Sequence, residues 1–369
     1  MKKVFVIHYQ PLEAYPPGMN FINFLSAQED FKIRVSSSCL RKDLDLKPFT
    51  VQNIHISRPG LRNKRSLFKL LDYIWYYTAT FIQLLLFKPH TVIYFETLSS
   101  WPALLYKKIR KDVKLMVHYH EYVSPKQYAQ GMKLSRYMHS MEMSMYTSAF
   151  SWISQTNEER MEMFRRDNQL LAMPEQLFRI IPNYPPKQWS SYKKVTDCNL
   201  SVLRLVFVGS LGYKNMYLQE LTDWIQLQSD IELDVYAYNI DQEAVALLKK
   251  CDPDKIRFHG GVDYHMLPEI LGNYDVGIVM YKPFSENTVH AVSNKVFEYL
   301  ACGLDVWFST DMTYSYRYVR DNVYPKVLAV DFSNLDAFDY QSAVNREGLK
   351  YQPSQYFYEQ EYIKFLEVI

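Results

Sequence analysis

Glycine is scarce in this chain, with 11 among 369 residues, so each glycine is more positionally required than in a glycine-rich sequence. The four cysteines, Cys39, Cys198, Cys251 and Cys302, show no CxxC spacing, which predicts free thiols in a reducing cytosol. A net charge of +2 gives no signal for a nucleic-acid partner. Hydrophobic residues make up 48% of the chain, which is enough to build two cores.

A secretory signal is not expected either. Met1-Lys2-Lys3 leads into the short apolar run Val4–Ile7, which is too short to serve as a secretory core. We therefore expect a cytoplasmic chain, and 369 residues predict two domains.

The same run, Val4–Ile7, has the pattern of the first buried parallel strand of an α/β domain. A loop with Pro16, Pro17 and Gly18 follows, and the next helix is predicted to open near Asn23. A glycine between a first strand and a helix allows a backbone to approach phosphate, although an ordinary turn explains it equally well.

A long apolar segment, 70–87, follows five basic residues within 58–69. Its length approaches that of a membrane span, but Asp72 and Gln83 interrupt it and a strand follows directly. We interpret it as a buried core helix. The alternative is a helix that faces a membrane, flanked by a basic patch that favours anionic lipid.

Polar side chains follow the strands predicted at 91–95 and 114–117. Glu96 and Ser99 follow the first strand, and His118, His120 and Glu121 follow the second. Loops at the carboxyl ends of parallel strands line ligand crevices, which makes Glu96 and Ser99 candidates for a site. The histidines lack further ligands at metal-binding spacing, and loop histidines with satisfied hydrogen bonds remain an alternative.

The most informative stretch is 289–308, which predicts a helix, a glycine and a buried strand. Lys295 and Glu298 are three residues apart and therefore lie on one face of the helix, together with Asn294 near its start. Charged groups in so apolar a helix are costly unless something polar meets them. A ribose hydroxyl pair and a phosphate would suit them.

The ten residues from Asn294 to Gly303, NKVFEYLACG, resemble the (N/L)K-x-FEY-x-A-x-G-x-P-V signature of GT-B glycosyltransferases, especially the large retaining group that uses nucleotide sugars. The resemblance implies an α/β fold with two Rossmann-like, doubly wound domains that face each other across a cleft. It places an acceptor-binding domain at 1–185, a linker at 186–201 and a nucleotide-sugar-binding domain at 202–351. A terminal helix at 352–369 is expected to pack back on the first domain.

The resemblance also implies roles for residues of this chain. Glu298 would hold the ribose, Lys214 and Lys295 would neutralise the diphosphate, and His120 would lie beside the reacting sugar. Tyr238 could stack on the base or be an ordinary tyrosine at a strand end. The expected catalytic residues are His120, Lys214 and Glu298, and the expected donor-binding residues are Gly18, Gly209, Ser210, Lys214, Tyr238, Gly260, Tyr281, Asn294, Lys295 and Glu298.

The chain departs from the signature at two positions. His290 stands where the E-x7-E spacing of the group places its first acid, and Asp305 replaces the usual proline. Retention at the anomeric carbon is what the resemblance implies. An inverting enzyme would need a base near the acceptor, and His120, Glu121 and Glu96 are candidates for that role.

The expected function is transfer of a sugar from a nucleotide-sugar donor to a saccharide or polyprenyl-linked acceptor, in bacterial surface polysaccharide biosynthesis. No suitably placed DxD motif is present, so we expect no metal and no cofactor. Peripheral contact with the inner face of the cell membrane through 58–87 is a further expectation. Two alternatives stay open. The first is a nucleotide-sugar epimerase, which would need a matched pair of acids, and no such pair is found. The second is a non-catalytic nucleotide-sugar-binding subunit, and His290 in place of the first acid is the feature that supports it.

Overall fold

The computed structural model describes residues 1–12, 15–39, 54–59, 66–193 and 202–369; for residues 66–69 it describes the backbone only. These residues form two compact units. The first contains Met1–Asn183 and Tyr358–Ile369, and the second contains Tyr184–Phe357. Each unit is an α/β structure built on a parallel sheet, as the sequence predicts.

The sheet of the first unit has seven parallel strands in the order β3-β2-β1-β4-β5-β6-β7. Its central strands are buried on both faces, which explains their continuous apolar runs. The strands are β1 (Lys2–His8), β2 (Phe31–Ser37), β3 (Ile54–Ser57), β4 (Thr91–Phe95), β5 (Lys114–His118), β6 (Trp152–Gln155) and β7 (Phe178–Ile180).

The helices of this unit include a terminal helix from the far end of the chain. Its Phe365 lies against Trp152 and Phe21, with ring centroids 4.8 Å away in both cases. The helices are α1 (Pro16–Ser26), α2 (Ser66–Phe87), α3 (Ser100–Ile109), α4 (Pro125–Gln130), α5 (Lys133–Met143), α6 (Glu158–Asp167) and α13 (Tyr358–Leu366), with 3-10 helices at Thr97–Ser99 and Glu175–Leu177.

The sheet of the second unit has six parallel strands in the order β10-β9-β8-β11-β12-β13. Strand order reverses at β8, and in open α/β sheets ligands bind beyond the carboxyl ends of the strands at such a point. The strands are β8 (Leu203–Val208), β9 (Ile231–Tyr236), β10 (Ile256–Gly260), β11 (Val276–Val279), β12 (Asp305–Ser309) and β13 (Val327–Val330).

Short helices connect these six strands. The helices are α7 (Leu218–Leu227), α8 (Gln242–Leu248), α9 (Leu267–Leu271), α10 (Glu286–Val289), α11 (Asn294–Ala301) and α12 (Tyr340–Val344), with 3-10 helices at Lys187–Tyr192, Tyr264–Met266, Thr313–Tyr318 and Leu335–Ala337.

Three expected segments differ in detail from the structure. Gly18 lies in the first turn of α1 rather than in a loop, because Pro16 and Pro17 fit the first helical positions, where a missing N–H costs nothing. The predicted linker begins with a 3-10 helix whose Trp189 is buried within the second unit, and 194–201 lie outside the described residues. The terminal helix begins at Tyr358, later than the predicted 352.

Candidate functional site

Helix α11 is fixed to the second sheet by Tyr299, a residue of the signature motif. The Tyr299 hydroxyl accepts a hydrogen bond of 3.0 Å from the amide of Val208, the last residue of β8. Its ring covers Gly277 of β11 so closely that a Cβ atom there would lie 2.1 Å from the ring. The helix ends before Gly303, whose φ of +82° suits glycine. This packing sets the start of α11 against the carboxyl end of β8.

Lys295 and Glu298 form an ion pair on the first turns of α11. Lys295 Nζ lies 2.6 Å from Glu298 Oε2, and the Glu298 side chain is only 5% exposed. The Lys295 side chain also reaches Gly209, just after β8: a Cβ atom built on Gly209 would lie 3.8 Å from Lys295 Cε. The pair therefore presents a carboxylate and an ammonium at the strand-order reversal, where a ribose and a phosphate could replace their mutual contact.

Lys214 lies apart from this pair. Its side chain is 76% exposed, and its Nζ lies 3.4 Å from Glu243 Oε1 of α8. Leu211, in the loop before Lys214, forms a parallel bridge with Ile240, which lies beyond the end of β9. Ser210 is exposed on the same loop. The structure thus brings Gly209, Lys295 and Glu298 together, while the role of Lys214 stays a prediction that requires its surface ion pair to open.

Tyr238 and Gly260 lie beyond the carboxyl ends of β9 and β10. Tyr238 is 72% exposed, and its hydroxyl donates a hydrogen bond of 2.8 Å to Asp263 Oδ1. Its ring lies so close to Gly261 that a Cβ atom there would overlap it at 2.0 Å. Gly260 has a φ of +75°. An exposed ring held over a glycine pair is a suitable surface for stacking, and the predicted role of Tyr238 with a base is compatible with this position.

The remaining predicted donor residues border α10 and α11. Tyr281 is half-buried and pairs with Met216 in an isolated antiparallel bridge, and Asn294 is the half-buried first residue of α11. The neighbouring Lys282 donates to Glu220 Oε1 at 2.7 Å and lies over the Tyr217 ring. Lys282 is thereby engaged within its own unit, and Lys295 is the lysine held next to Gly209.

Asp305, which replaces the usual proline of the signature, has a structural explanation. Its carboxylate is fully buried and accepts hydrogen bonds from Arg346 Nη2 at 3.0 Å and from the Lys326 amide at 2.6 Å. Burial raises the pKa of this carboxyl, and Arg346 opposes that effect. Asp305 therefore connects β12 with the segment after α12, and these hydrogen bonds do not involve the Lys295–Glu298 pair.

The first unit carries three buried histidines at the carboxyl edge of its sheet: His8, His118 and His120, called here the histidine cluster. His8 and His118 end β1 and β5, and both align with Phe95 at the end of β4. The His120 ring centroid lies 5.9 Å from that of His8 and 4.8 Å from that of His118. His120 also stacks on Phe95 at 5.1 Å.

Our sequence reasoning selected His120 and missed its two neighbours as site residues. The available signal was that His8 and His118 are the last residues of two strands that flank the same central strand. Gly18, selected for phosphate, instead lies beside His8: a Cβ atom on Gly18 would be 3.3 Å from the His8 ring. The missing side chain of Gly18 therefore permits close packing of α1 against the His8 ring.

Glu96 holds the backbone that carries His120. Its Oε1 accepts a hydrogen bond of 2.6 Å from the His120 amide, and Glu96 itself adopts a φ of +62°, which is uncommon for a residue other than glycine. Arg160 Nη1 donates to the His120 carbonyl at 3.1 Å. Burial, together with the nearby Glu121 carboxylate, raises the pKa of Glu96 to about 8.

Burial also keeps the histidine cluster neutral. It lowers the pKa of His8 to about 4 and that of His118 to about 3, and it lowers the pKa of His120 well below its usual value. Among the residues that the structure describes, no group of three histidine, cysteine, aspartate or glutamate side chains is placed to hold a metal ion.

Comparison with known proteins identifies the fold. No family model matches the chain, and no curated protein is similar to it in sequence. Solved structures match over its full length. The sucrose-phosphate synthase of Thermosynechococcus elongatus superposes with a TM-score of 0.69 at 13% identity, covering 100% of this chain and 98% of that one. The HepE protein of Anabaena, in complex with UDP and glucose, gives 0.67 at 12% identity and 100% of both chains.

A UDP-N-acetylglucosamine 2-epimerase also matches, with a TM-score of 0.62 at 10% identity, covering 99% of this chain and 95% of that one. These similarities, together with the two parallel sheets, show that the chain has the GT-B fold, and the predicted fold class is confirmed. Glycosyltransferases and an epimerase share this architecture, so the fold alone does not select between transfer and epimerisation.

Proposed function

We propose that the chain is a glycosyltransferase that moves a sugar from a nucleotide-sugar donor to a saccharide or polyprenyl-linked saccharide acceptor. The observation that carries the proposal is the buried Lys295–Glu298 pair beside Gly209, at the strand-order reversal of the second unit. The match to HepE, whose structure holds UDP and glucose, supports a uridine or related nucleotide sugar as the donor.

In this proposal Glu298 accepts hydrogen bonds from the ribose hydroxyls, and Lys295 turns from Glu298 to the diphosphate. Stabilising the charge on the departing diphosphate is the main electrostatic task of the reaction. Lys214 adds a second positive charge once it leaves Glu243, and His120 binds the sugar. We further propose that the reaction retains the anomeric configuration and uses neither a metal ion nor a cofactor.

The proposal is tested by calorimetry with a panel of UDP-, GDP-, CMP- and dTDP-sugars. We expect one nucleotide class to bind the wild type, and Glu298→Ala to weaken that binding by about tenfold or more through loss of charged hydrogen bonds. Glu269→Gln is the matched control, because Glu269 is an exposed glutamate of α9 in the same unit. If Glu298→Ala binds the nucleotide sugar as tightly as the wild type does, the assignment of the ribose site is wrong.

Epimerisation is the second candidate, because an epimerase is among the structures of the same fold. An epimerase converts the nucleotide sugar without any acceptor, whereas a transferase needs one. Analysis of the nucleotide sugar after incubation without acceptor separates the two. A third outcome, tight binding with no turnover across an acceptor panel, would favour the non-catalytic subunit.

We also propose a location: the bacterial cytoplasm, at the inner face of the cell membrane, in surface polysaccharide assembly. The support comes from α2, which is long and apolar enough to cross a membrane by length and composition alone. A third of its window Leu70–Phe87 is buried inside the protein. Tyr76 donates to the Ser36 carbonyl, and Thr80 shares a hydrogen bond of 2.7 Å with Ser36. This inner face favours a helix that lies on a membrane over one that spans it.

The outer face of α2 is an apolar stripe. Trp75 is 62% exposed, and it shares the stripe with Leu71, Ile74, Ile82, Leu85 and Leu86. The basic residues Arg62, Lys64 and Arg65 precede the helix in sequence but lie outside the described residues. An apolar stripe next to basic residues is suited to an anionic lipid surface.

Vesicle sedimentation tests this location. We expect the chain to bind phosphatidylglycerol vesicles more strongly than phosphatidylcholine vesicles, and Ile74→Ser/Trp75→Ser to weaken binding to both. Leu227→Ser is the control, because Leu227 is an exposed apolar residue on α7, in the second unit. Equal sedimentation of all three proteins, or self-association through α2 without lipid binding, would contradict the proposal.

A further inference from the structure

The amino edge of the second sheet carries positively charged side chains that the proposed function does not use. β12 begins there at Asp305, and β13 begins there at Val327, whose backbone exchanges two hydrogen bonds with that of Arg320. Because the strands are parallel, this edge is opposite the one that carries the Lys295–Glu298 pair. We call the side chains of Lys193, Arg320, Tyr324, Arg346 and Tyr351 the cationic cluster.

Arg320 is a partly buried arginine whose guanidinium lacks acceptors. Its Nε and Nη2 atoms are buried, and neither has a hydrogen-bond partner among the described residues. Burial lowers the pKa of Arg320, and the nearby Tyr356, Asp305 and Tyr351 oppose that effect. Buried N–H groups are almost always paired, because the loss of water is otherwise uncompensated. The two nitrogen atoms of Arg320 therefore indicate an acceptor that the chain itself does not supply.

Lys193 brings a second cation to the same tyrosine ring. Its Nζ lies over the Tyr351 ring and 5.8 Å from the centroid of the Tyr324 ring. A ring face attracts an ammonium group but does not neutralise its charge. Burial lowers the pKa of Lys193, and the positive charge of Arg346 lowers it further. Lys193 is thus placed against aromatic rings and another cation rather than against a carboxylate.

The acceptors closest to the cluster already have donors. Asp305 Oδ2 accepts from Arg346 Nε at 3.1 Å and Nη2 at 3.0 Å, and its Oδ1 accepts from the Lys326 amide. The carboxyl end of the α11 dipole favours positive charge, but the carbonyl of Gly303 accepts from the Tyr324 hydroxyl at 2.6 Å. The cluster therefore carries more positive charge than its own carboxylate neutralises.

The missing partner must supply both acceptors and negative charge. A neutral saccharide hydroxyl accepts a hydrogen bond but leaves the excess charge unopposed, and a cation would be repelled. A phosphate group has several charged oxygens and can accept from an arginine and a lysine at once. The Tyr351 ring is 38% exposed, so the cluster lies at the protein surface, where a solute can reach it.

We propose that the cationic cluster is a binding site for a phosphate group, held by Arg320 and Lys193 beside the Tyr351 ring. The site lies at the opposite edge of the second sheet from the proposed donor site, and the inference does not depend on sugar transfer. Inorganic phosphate, a sugar phosphate and a nucleotide share the chemistry that this site recognises.

The acetylation rate of Lys193 in the full wild-type chain tests the proposal. Only the uncharged amine reacts, and a bound phosphate favours the charged form, so a rise of about one pKa unit slows the reaction about tenfold. The rate is measured by mass spectrometry with inorganic phosphate and with chloride at the same ionic strength. Lys250, an exposed lysine of the same unit, is the internal control. We expect saturable protection of Lys193 alone, and equal rates in both salts would overturn the proposal.

Variants test whether Arg320 holds the phosphate together with Lys193. Arg320→Gln removes a charged donor, and we expect the phosphate concentration that half-protects Lys193 to rise about tenfold or more. Arg320→Lys keeps the charge and should retain part of the protection. Lys250→Gln is the control and should respond as the wild type does. Undiminished protection of Lys193 in Arg320→Gln would contradict the site.

Titrations with different compounds identify the source of the phosphate group. If glucose 1-phosphate protects Lys193 at a lower concentration than inorganic phosphate, the ligand is a sugar phosphate, and if UDP does so, it is a nucleotide. Equal protection by all three assigns the site to the phosphate group alone. Protection by glucuronate but by none of the three phosphates would overturn the proposal in favour of a carboxylate.

Glu298→Ala separates this site from the donor site. We expect inorganic phosphate to protect Lys193 in this variant as it does in the wild type, because the cationic cluster lies at the other edge of the sheet. Loss of the protection in Glu298→Ala would mean that Lys193 responds to phosphate in the donor site, which contradicts a separate site. A chain that binds no nucleotide sugar but protects Lys193 would refute the donor site and keep this one.

Discussion

The buried imidazole of His8 makes the stability of the first unit depend on pH. Its pKa falls from 6.5 to about 4 on folding because burial disfavours the charged form. Between these two pH values the unfolded chain binds a proton that the folded chain does not, so stability is lost as the pH falls. At pH 4 the loss in the free energy of unfolding that comes from His8 is about 3 kcal/mol.

We therefore expect the free energy of unfolding of the wild type to decrease between pH 6.5 and pH 4 more steeply than that of His8→Gln. Urea denaturation at a series of pH values measures this slope. His55→Gln is the control substitution, because His55 is an exposed histidine of the same unit. Identical slopes for wild type and His8→Gln would show that His8 is charged in the folded chain.

Tyr299 provides a second test at the scale of one residue. Tyr299→Phe removes the acceptor of the buried Val208 amide, and we expect a loss of about 1–3 kcal/mol in urea denaturation. Tyr192→Phe is the control, because the Tyr192 ring is exposed on the same unit. A variant as stable as the wild type would mean that the ring, and not the hydroxyl, fixes α11.

Among the elements, α11, which carries the signature motif, was the most predictable, and the connecting segments were the least predictable. Lys295, Glu298 and Gly303 were assigned correctly to a helix and its end, because a dense local pattern specifies them. The start of α1 was wrong by several residues, since two prolines indicate a loop and a helix start equally well. The pairing of Lys214 with Glu243 depends on how β8 and β9 continue into their loops, which no local pattern reveals.

The tie between β12 and the segment after α12 is testable at the same scale. Asp305→Ala leaves the Arg346 guanidinium buried without its carboxylate, and we expect a loss of about 3–5 kcal/mol. Asp305→Leu combined with Arg346→Met should lose much less, because both charges leave the interior together. Thermal or urea denaturation measures both proteins. If Asp305→Ala is at least as stable as the double variant, a structural role for Asp305 is contradicted.

At the scale of the whole molecule, the end of the chain stabilises its beginning. Phe365 is 1% exposed and packs on Trp152 and Phe21, so Phe365→Ala should cost about 3–5 kcal/mol within the first unit. Hydrogen exchange should show faster opening of β6 and α1 and unchanged protection of β8 and α11. Ile363→Ala, at an exposed position of the same helix, is the control. Equal destabilisation of both units would contradict the division.

The two-unit α/β architecture could be predicted from the sequence because buried parallel strands leave continuous apolar runs. The histidine cluster could not, since His8 and His118 are 110 positions apart and meet only through the register of β1, β4 and β5. Asp305 was noted as a departure from the signature, but its partner Arg346 is distant in sequence. Long-range pairings of this kind become visible only in the folded chain.

The central claim is transfer of a sugar, and the product of a bound nucleotide sugar tests it most directly. The chain is incubated with a nucleotide sugar carrying a 13C label at the anomeric carbon, with and without a panel of saccharide and polyprenyl-linked acceptors, and the anomeric signal is followed by NMR. We predict no change without acceptor, and a new glycosidic signal of retained configuration with one of them, lost in Glu298→Ala. An altered nucleotide sugar in the absence of any acceptor would contradict the account and identify an epimerase.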